Sequence, residues 1–200
     1  MTTDITEADL IDSVADALQF ISYYHPMDYI RALGVAYEAE KSPAAKDAIA
    51  QILTNSRMCA EGHRPICQDT GIVTIFVKWG QDCRLVSDRS LQQVVDEGVR
   101  RAYRNPENPL RASILSDPAF TRQNTRDNTP SVLHVEMVPG ATVSIDVAAK
   151  GGGSENKSKF KMLNPSDSIV DWVLEMVPQM GAGWCPPGML GIGIGGTAEK

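Results

Sequence analysis

The chain has 200 residues, 42% of them hydrophobic, and it carries a formal net charge of −6 with a pI near 5.1. This length and apolar content suffice for one sizeable core, so a globular protein is predicted. The acidic balance excludes nucleic acid as a partner, because a phosphate backbone requires a basic surface. No apolar run approaches the roughly 18 residues of a membrane span, and residues 1–10 lack a secretory signal. A cytoplasmic protein without a membrane partner is therefore expected.

The first sixty residues show helical periodicity and predict three helices. Thr6 and Asp9 are placed as a capping pair for the first helix, which Pro26 ends. The third helix is expected to begin with Ser42 as its cap and Pro43 in the first helical position. The buried stripes of the three helices should contain Leu10, Ile11, Val14, Leu18, Ile21, Ile30, Leu33, Tyr37, Ile49, Ile52 and Leu53.

From Gly71 the apolar period changes to two, which predicts a strand. A helix from about Ser90 to Tyr103 should follow. Residues 105–130 contain four prolines and many polar residues, so we expect a long irregular connection of the kind that often carries functional side chains. The buried face of the strand should consist of Val73, Ile75, Val77 and Trp79.

Three further elements are predicted after this connection. Two alternating runs, Ser131–Val138 and Ala141–Ala149, flank a Pro-Gly turn and predict an antiparallel hairpin. Ser166 is expected to cap a helix that ends near Pro178. Residues 188–196 alternate glycine with leucine and isoleucine, which suggests a strand approached by another backbone or a ligand. The side chains buried by the helix should be Ile169, Val173, Leu174 and Val177.

These elements together predict an α/β fold. Residues 1–60 should form a helical layer packed on a mixed β-sheet, which residues 61–200 form with further helices. The loops that carry reactive side chains are expected at one edge of that sheet.

The first candidate site lies at the junction between the third helix and the strand. Cys67, Gln68, Asp69 and Thr70 place a thiol, an amide, a carboxylate and a hydroxyl in succession. A thiolate here could bind a soft metal or an iron–sulfur cluster, while the amide and carboxylate contact a ligand of that metal. The pattern is equally typical of a buried cysteine beside a turn.

The second candidate is the stretch Lys150–Ser158. Its three successive glycines let backbone N–H groups converge on an anion, and flanking lysines add positive charge. The stretch nearly matches a phosphate loop, but Asn156 stands where the last glycine of that loop belongs. A nucleotide loop and a plain flexible turn are the alternatives.

The third candidate is Cys185, which two prolines follow directly. Their rigidity would hold the thiol in a set direction, as a metal site needs, although a simple turn has the same pattern. A rival, non-enzymatic interpretation is a zinc-binding module of Cys59, His63 and Cys67, whose four-residue spacing would place them on one helical face. Cys83 is interpreted as a bystander in a turn.

The combination of motifs resembles the α-type region of class I fumarases and tartrate dehydratases. The motifs are ICQDTG at 66–71, KGGGSENKS at 150–158, WCPPG at 184–188 and GIGIGGTAEK at 191–200. The similarity extends from about residue 50 onward. It implies a hydro-lyase that adds or removes water on a small dicarboxylic acid, with fumarate and malate as the leading pair and tartrate next.

The resemblance also implies a site. Cys67 and Cys185 become two of three thiolates that hold a 4Fe–4S cluster, whose fourth iron acts as a Lewis acid on the substrate. Gln68 and Asp69 match positions that contact the bound acid, with Asp69 as the catalytic candidate, and Arg111 matches a carboxylate-binding arginine. The loop that grips the acid corresponds to Lys150, Gly151, Gly152, Gly153, Ser154, Glu155 and Asn156.

One departure from the family pattern concerns the third cluster cysteine. In the family it lies well beyond the GTAEK stretch, as do the catalytic base and further substrate-binding residues, and neither Cys59 nor Cys83 has the matching context. We therefore expect a chain truncated before its C-terminal part, inactive alone and a poor cluster carrier. A homodimer is implied for the full-length protein.

Overall fold

The structure is a computed structural model that describes residues 2–185 and 187–197. The chain divides into two compact units, one ending at Lys150 and the other beginning at Gly151. In the described residues no helix is long and apolar enough to span a bilayer. The elements in chain order are β1 (Thr3–Thr6), α1 (Glu7–Tyr23), α2 (Met27–Ala39), α3 (Pro43–Gly62), β2 (Ile72–Gly80), β3 (Cys83–Val86), α4 (Leu91–Tyr103), β4 (Val132–Val138), β5 (Val143–Lys150), α5 (Gly152–Glu155) and α6 (Ile169–Gln179).

Strand β2 is the centre of the first unit. Its side chains Val73, Ile75 and Val77 are at most 1% exposed, and Trp79 is also buried, as predicted. They form one core with α1 and α4, whose residues Leu10, Ile11, Val14, Leu18, Val94, Val95 and Val99 are likewise buried. The predicted α/β fold, with a helical layer on a mixed sheet, is confirmed.

The sheet has the order β4-β2-β5, with β2 parallel to β4 and antiparallel to β5. The predicted hairpin of Ser131–Val138 with Ala141–Ala149 is therefore wrong, because these strands lie on opposite sides of β2. The chain between them crosses the end of β2, where the Gly80 N–H donates to the Thr142 carbonyl at 2.9 Å. A local hairpin would have left β2, the most deeply buried strand, with one unpaired edge.

The helix starts follow the sequence closely. Thr6 and Asp9 form the predicted capping box, in which the Thr6 N–H donates to the Asp9 carboxylate at 2.9 Å. Ser90 caps α4 in the same way. Ser42 occupies the N-cap of α3 as predicted, but its side chain makes no capping hydrogen bond. The short parallel pair β1-β3 has no counterpart among the predictions.

The second unit differs more from expectation. Helix α6 is capped by Ser168, which accepts from the Asp171 N–H at 3.2 Å, so the prediction of Ser166 as the cap is wrong. Ile169 and Leu174, predicted to be buried, are 40% and 66% exposed. Pro178 lies inside the helix. The strand predicted near the end of the chain is absent from the described residues 187–197, which belong to no ladder.

Gly98 lies where α4 crosses α1, whereas Gly34 lies on α2 with open space around its α-carbon. A β-carbon on Gly98 would come within 2.8 Å of the Val14 side chain, whereas one on Gly34 would meet nothing within 4 Å. We expect Gly98→Ala to lower the free energy of unfolding by about 1–3 kcal/mol through overpacking. Gly34→Ala should raise it by up to about 1 kcal/mol, because alanine favours the helix. Urea unfolding of both variants checks this, and a Gly98→Ala protein as stable as Gly34→Ala contradicts it.

Candidate functional site

The Cys67 loop, residues 63–71, joins α3 to β2. Helix α3 ends at His63, whose φ of 47° is left-handed, and the chain turns away from the helix there. The Ile66 N–H then donates to the Ser22 carbonyl at 2.8 Å, and the Asn55 side chain donates to the Ile66 carbonyl at 2.9 Å. These bonds fix the backbone immediately before Cys67, whose side chain is exposed.

The thiol of Cys67 lies next to the amide and carboxylate that follow it. Its Sγ donates to Gln68 Oε1 at 3.2 Å and accepts from the Asp69 N–H at 3.5 Å. Asp69 Oδ1 in turn accepts from the Gly71 N–H at 3.3 Å. These contacts hold the sulfur of Cys67 beside the Gln68 amide and the Asp69 backbone.

Gly71 brings this loop against the end of β5. It has a φ of 92°, and a β-carbon there would lie 2.7 Å from the carbonyl carbon of Ala149 and 2.8 Å from the nitrogen of Lys150. Only glycine tolerates both the left-handed conformation and this contact. The approach places the backbone of Lys150, a predicted substrate residue, beside the loop.

Two more segments hold the loop. The Tyr103 hydroxyl, at the end of α4, donates to the carbonyls of Thr70 at 2.8 Å and Gly71 at 3.1 Å. Thr70 Oγ1 donates to the Arg111 carbonyl at 2.7 Å. The structure thus brings the backbone of Arg111 to the Cys67 loop, while its side chain is exposed.

Burial raises the pKa of Tyr103 to about 12; the nearby charge of Asp69 acts in the same direction, and the hydrogen bond to Thr70 acts against it. Tyr103 therefore remains a hydrogen-bond donor at neutral pH. The sequence pattern had identified it only as the end of a helix.

A cavity of about 270 Å³ adjoins the loop. Its size suits a small molecule, since larger ligands occupy pockets of about 300–1,000 Å³. Its wall combines apolar side chains with thiol, carboxylate, hydroxyl and imidazole groups. The lining residues are Leu18, Ile21, Ser22, His25, Ile66, Cys67, Asp69, Thr70, Tyr103, Leu110 and Ala149.

In the second unit the glycine loop packs on the turn that precedes Cys185. A β-carbon on Gly153 would lie 2.9 Å from the Gly183 carbonyl oxygen, and Ser154 Oγ donates to the Trp184 carbonyl at 3.4 Å. The loop itself forms the single turn α5, in which the Glu155 and Asn156 N–H groups donate to carbonyls at the start of the turn. An anion would therefore have to be bound by N–H groups other than those of Glu155 and Asn156.

Cys185 is exposed and adopts a left-handed backbone with φ of 62°. Its N–H donates to the Ala182 carbonyl at 3.1 Å. The Trp184 indole donates to the Gly181 carbonyl at 2.7 Å and its ring lies against Gly188. Pro186, the first of the two prolines predicted to stiffen this turn, lies outside the described residues.

The other two cysteines have different surroundings. Cys59 is buried on α3, where its Sγ donates to Asn55 Oδ1 and the Pro65 carbonyl, both at 3.6 Å, and burial raises the pKa of its thiol. Cys83 is half-buried. No disulfide joins any of the four cysteines. Only Cys67 and Cys185 among them are exposed.

The predicted zinc site of Cys59, His63 and Cys67 is wrong. Among residues 2–185 and 187–197, no three histidine, cysteine or acidic side chains lie close enough to hold one metal ion. The reason is the left-handed end of α3, which removes Cys67 from the helical face that carries Cys59. His63 instead stacks on Tyr23, with ring centroids 4.7 Å apart.

Residues 11–200 match the profile of the Fumarate hydratase (Fumerase) family. The chain belongs to this family. It is 35% identical over 196 residues to a protein of Methanocaldococcus jannaschii provisionally named L(+)-tartrate dehydratase subunit alpha, covering 94% of this chain and 67% of that relative. It is 30% identical to the L(+)-tartrate dehydratase subunit alpha of Escherichia coli UTI89, covering 95% of this chain and 63% of the relative.

The predicted family is confirmed by this match. The chain spans about two thirds of the length of the curated relatives that it matches. The predicted site residues fall into two groups. The first unit contains Cys67, Gln68, Asp69, Arg111 and Lys150, and the second contains Gly151–Asn156 with Cys185.

Exposure should rank the four thiols by reactivity. When the folded chain is treated with iodoacetamide, Cys67 and Cys185 should be alkylated roughly tenfold or more faster than Cys59, whose buried thiol stays protonated. Cys83 should react at an intermediate rate. Peptide mapping by mass spectrometry at successive times measures the four rates, and rapid modification of Cys59 before unfolding contradicts the ranking.

Tyr103 should make stability depend on pH in the alkaline range. Its folded pKa of about 12 exceeds the ordinary value of 10.0, so its contribution is fully present below pH 10 and is lost as pH rises through 12. We expect the difference in unfolding free energy between the unaltered chain and Tyr103→Phe to shrink over this range. Urea unfolding at several pH values measures the difference, and a constant difference contradicts the burial of Tyr103.

Proposed function

We propose that this chain provides cluster and substrate residues of a hydro-lyase that hydrates fumarate to malate or dehydrates tartrate, using a 4Fe–4S cluster. The observation that supports it is the exposure of the thiols of Cys67 and Cys185, the two cysteines in the family motifs, while Cys59 is buried and Cys83 half-buried. Each exposed thiol lies in a turn held by backbone hydrogen bonds.

The donor chemistry fits an iron–sulfur cluster. Thiolates are the protein ligands of such clusters, and both candidate thiols are free of disulfide bonds. Cys67 and Cys185 would hold two of the irons. When bound, the cluster supplies a Lewis acid that polarises oxygen atoms of the substrate.

The protein side chains have the remaining tasks. A dicarboxylate carries two negative charges, and Arg111 is the candidate for bidentate binding of one carboxylate while Lys150 contributes positive charge for the other. Gln68 offers amide hydrogen bonds to the acid. The loop Gly151–Asn156 is proposed to bind the acid through backbone N–H groups other than those of Glu155 and Asn156, which bond within the turn.

Asp69 is the proposed catalytic residue. It lines the cavity and is half-buried, and the Gly71 N–H holds one of its oxygens, which orients the carboxylate. A carboxylate fixed in this way can exchange a proton with the substrate hydroxyl or with water, as general acid–base catalysis requires. The cavity walls formed by Leu18 and Ile66 would limit the access of bulk water.

The assembly and the location of the protein are also proposals. The relatives are named as alpha subunits, which supports an enzyme made of more than one chain. A homodimer of the complete protein in the cytoplasm remains our prediction.

The test is made on the native protein, purified anaerobically without separating chains that copurify. Cys67→Ala and Cys185→Ala should each lose the brown charge-transfer absorption and the turnover of fumarate or L(+)-tartrate, since each removes a cluster ligand. Cys83→Ala is the matched control and should keep both. Iron and sulfide analysis, with assays on the two acids separately, also identifies the preferred substrate.

Either cysteine variant with unchanged iron, sulfide and turnover would exclude the proposed ligand set. An unaltered protein that turns over neither fumarate nor tartrate, although it contains the cluster, would exclude the proposed substrates.

A further inference from the structure

Asn128 is a buried side chain that the proposed mechanism does not use. It lies in the long connection between α4 and β4 and is 0% exposed. Its Nδ2 donates to the Gly71 carbonyl at 3.0 Å, and its Oδ1 accepts from the Ser113 N–H at 2.8 Å. The two ends of one amide therefore join the Cys67 loop to the segment that follows Arg111.

From this arrangement we infer that Asn128 is a positioning residue, which fixes the Cys67 loop relative to the Arg111 segment. The inference rests on the proposed function, in which both segments contact the dicarboxylate. Asn128 is fully buried and does not line the cavity, so it acts through its neighbours and does not touch the substrate.

The partners of Asn128 determine which residue type can bridge them. The Gly71 carbonyl can only accept a hydrogen bond and the Ser113 N–H can only donate one, so the bridge needs a donor and an acceptor on one short side chain. Aspartate would offer only acceptors when ionised. A leucine of similar size would offer neither, so the Ser113 N–H would lose its acceptor and the Gly71 carbonyl would keep only the Tyr103 donor.

On the side of the Cys67 loop, the bridge extends to the proposed catalytic carboxylate. The Gly71 carbonyl accepts from both Asn128 and Tyr103, so two donors from different segments fix its direction. The N–H of the same glycine donates to Asp69 Oδ1. Displacement of Gly71 would therefore move Asp69 and, two residues earlier, Cys67.

On the other side, the Arg111 segment is bonded at two points. Thr70 holds the Arg111 carbonyl, and Asn128 holds the N–H of Ser113, two residues further on. The backbone of Arg111 is thus tied to the same loop that carries Cys67 and Asp69. This would fix the backbone that carries the proposed carboxylate-binding guanidinium relative to Asp69, the proposed proton-transfer group.

The base of the bridge is itself anchored to α4. Asp127, the preceding residue, is buried and accepts from Arg100 Nε at 3.0 Å and from the Thr129 N–H at 3.1 Å. Asn128 has a φ of 62°, a left-handed conformation that asparagine adopts more readily than most residues. The amide is therefore held by the helix as well as by its own hydrogen bonds.

The experiment uses Asn128→Asp, which keeps the acceptor for Ser113 and replaces the donor to Gly71 with an oxygen. In the metal-free chain, the alkylation of Cys67 by iodoacetamide should become several-fold faster, because the loop loses a restraint. Cys185 serves as the reference thiol in the same molecule, and its rate should not change. Circular dichroism establishes that the variant is folded.

The matched control is Asn124→Asp. Asn124 lies in the same connection and donates to the Ala112 carbonyl at 2.7 Å, but it has no hydrogen bond to the Cys67 loop. Its substitution should leave the Cys67 alkylation rate unchanged. Tyr103→Phe removes the other donor to the Gly71 carbonyl and should also speed alkylation, so it decides the question if Asn128→Asp does not fold.

In the native enzyme, Asn128→Asp should raise the KM for the dicarboxylate roughly tenfold while the iron content per chain stays unchanged. Equal Cys67 rates in the unaltered chain and in folded Asn128→Asp would overturn the inference, as would an equal rate in Tyr103→Phe if Asn128→Asp does not fold. Faster alkylation in a protein whose unaltered form has no hydro-lyase activity would instead retain the bridge and reject the proposed function.

Discussion

The close approach of Gly71 to the backbone at Ala149 and Lys150 is the constraint on which the candidate site depends. It requires a residue without a side chain, and it places the start of β2 directly against the end of β5. The exposed thiol of Cys67 lies four residues before this contact, and the lysine proposed to meet the substrate lies at it. Hydrogen bonds from Tyr103 and Asn128 then fix the carbonyl group of Gly71 itself.

In the second unit, different contacts hold the turn that carries Cys185. Its glycine loop packs on the turn before Cys185 through a backbone contact between Gly153 and Gly183, and the Trp184 ring covers Gly188. No residue of α6 is buried, in contrast to the tightly packed α1 and α4. Small residues, rather than a core, determine the position of this thiol.

The sequence predicted the elements whose signals are local. The capping pair of Thr6 and Asp9, the start of α4 near Ser90 and the alternation from Val73 to Trp79 each depend on neighbours a few residues away. The sequence-based prediction was wrong where the pairing depends on residues far apart in the chain. The strands on either side of Pro139-Gly140 pair with β2 and not with each other. The motif residues Cys67 to Asp69 could be identified by residue type and order. The roles of Tyr103 and Asn128 could not, because they depend on hydrogen bonds to the distant Gly71 carbonyl, which no sequence motif indicates.

The strand order has a consequence for how the protein is made. During synthesis β2 leaves the ribosome before both of its neighbours, which follow only after α4 and the long connection. Its apolar face can pack on α1 early, but the edge that β5 covers stays unpaired until translation has passed Lys150. The Cys67 loop therefore acquires its final geometry late, and a nascent chain that stops before β5 would carry that thiol on an unsupported strand.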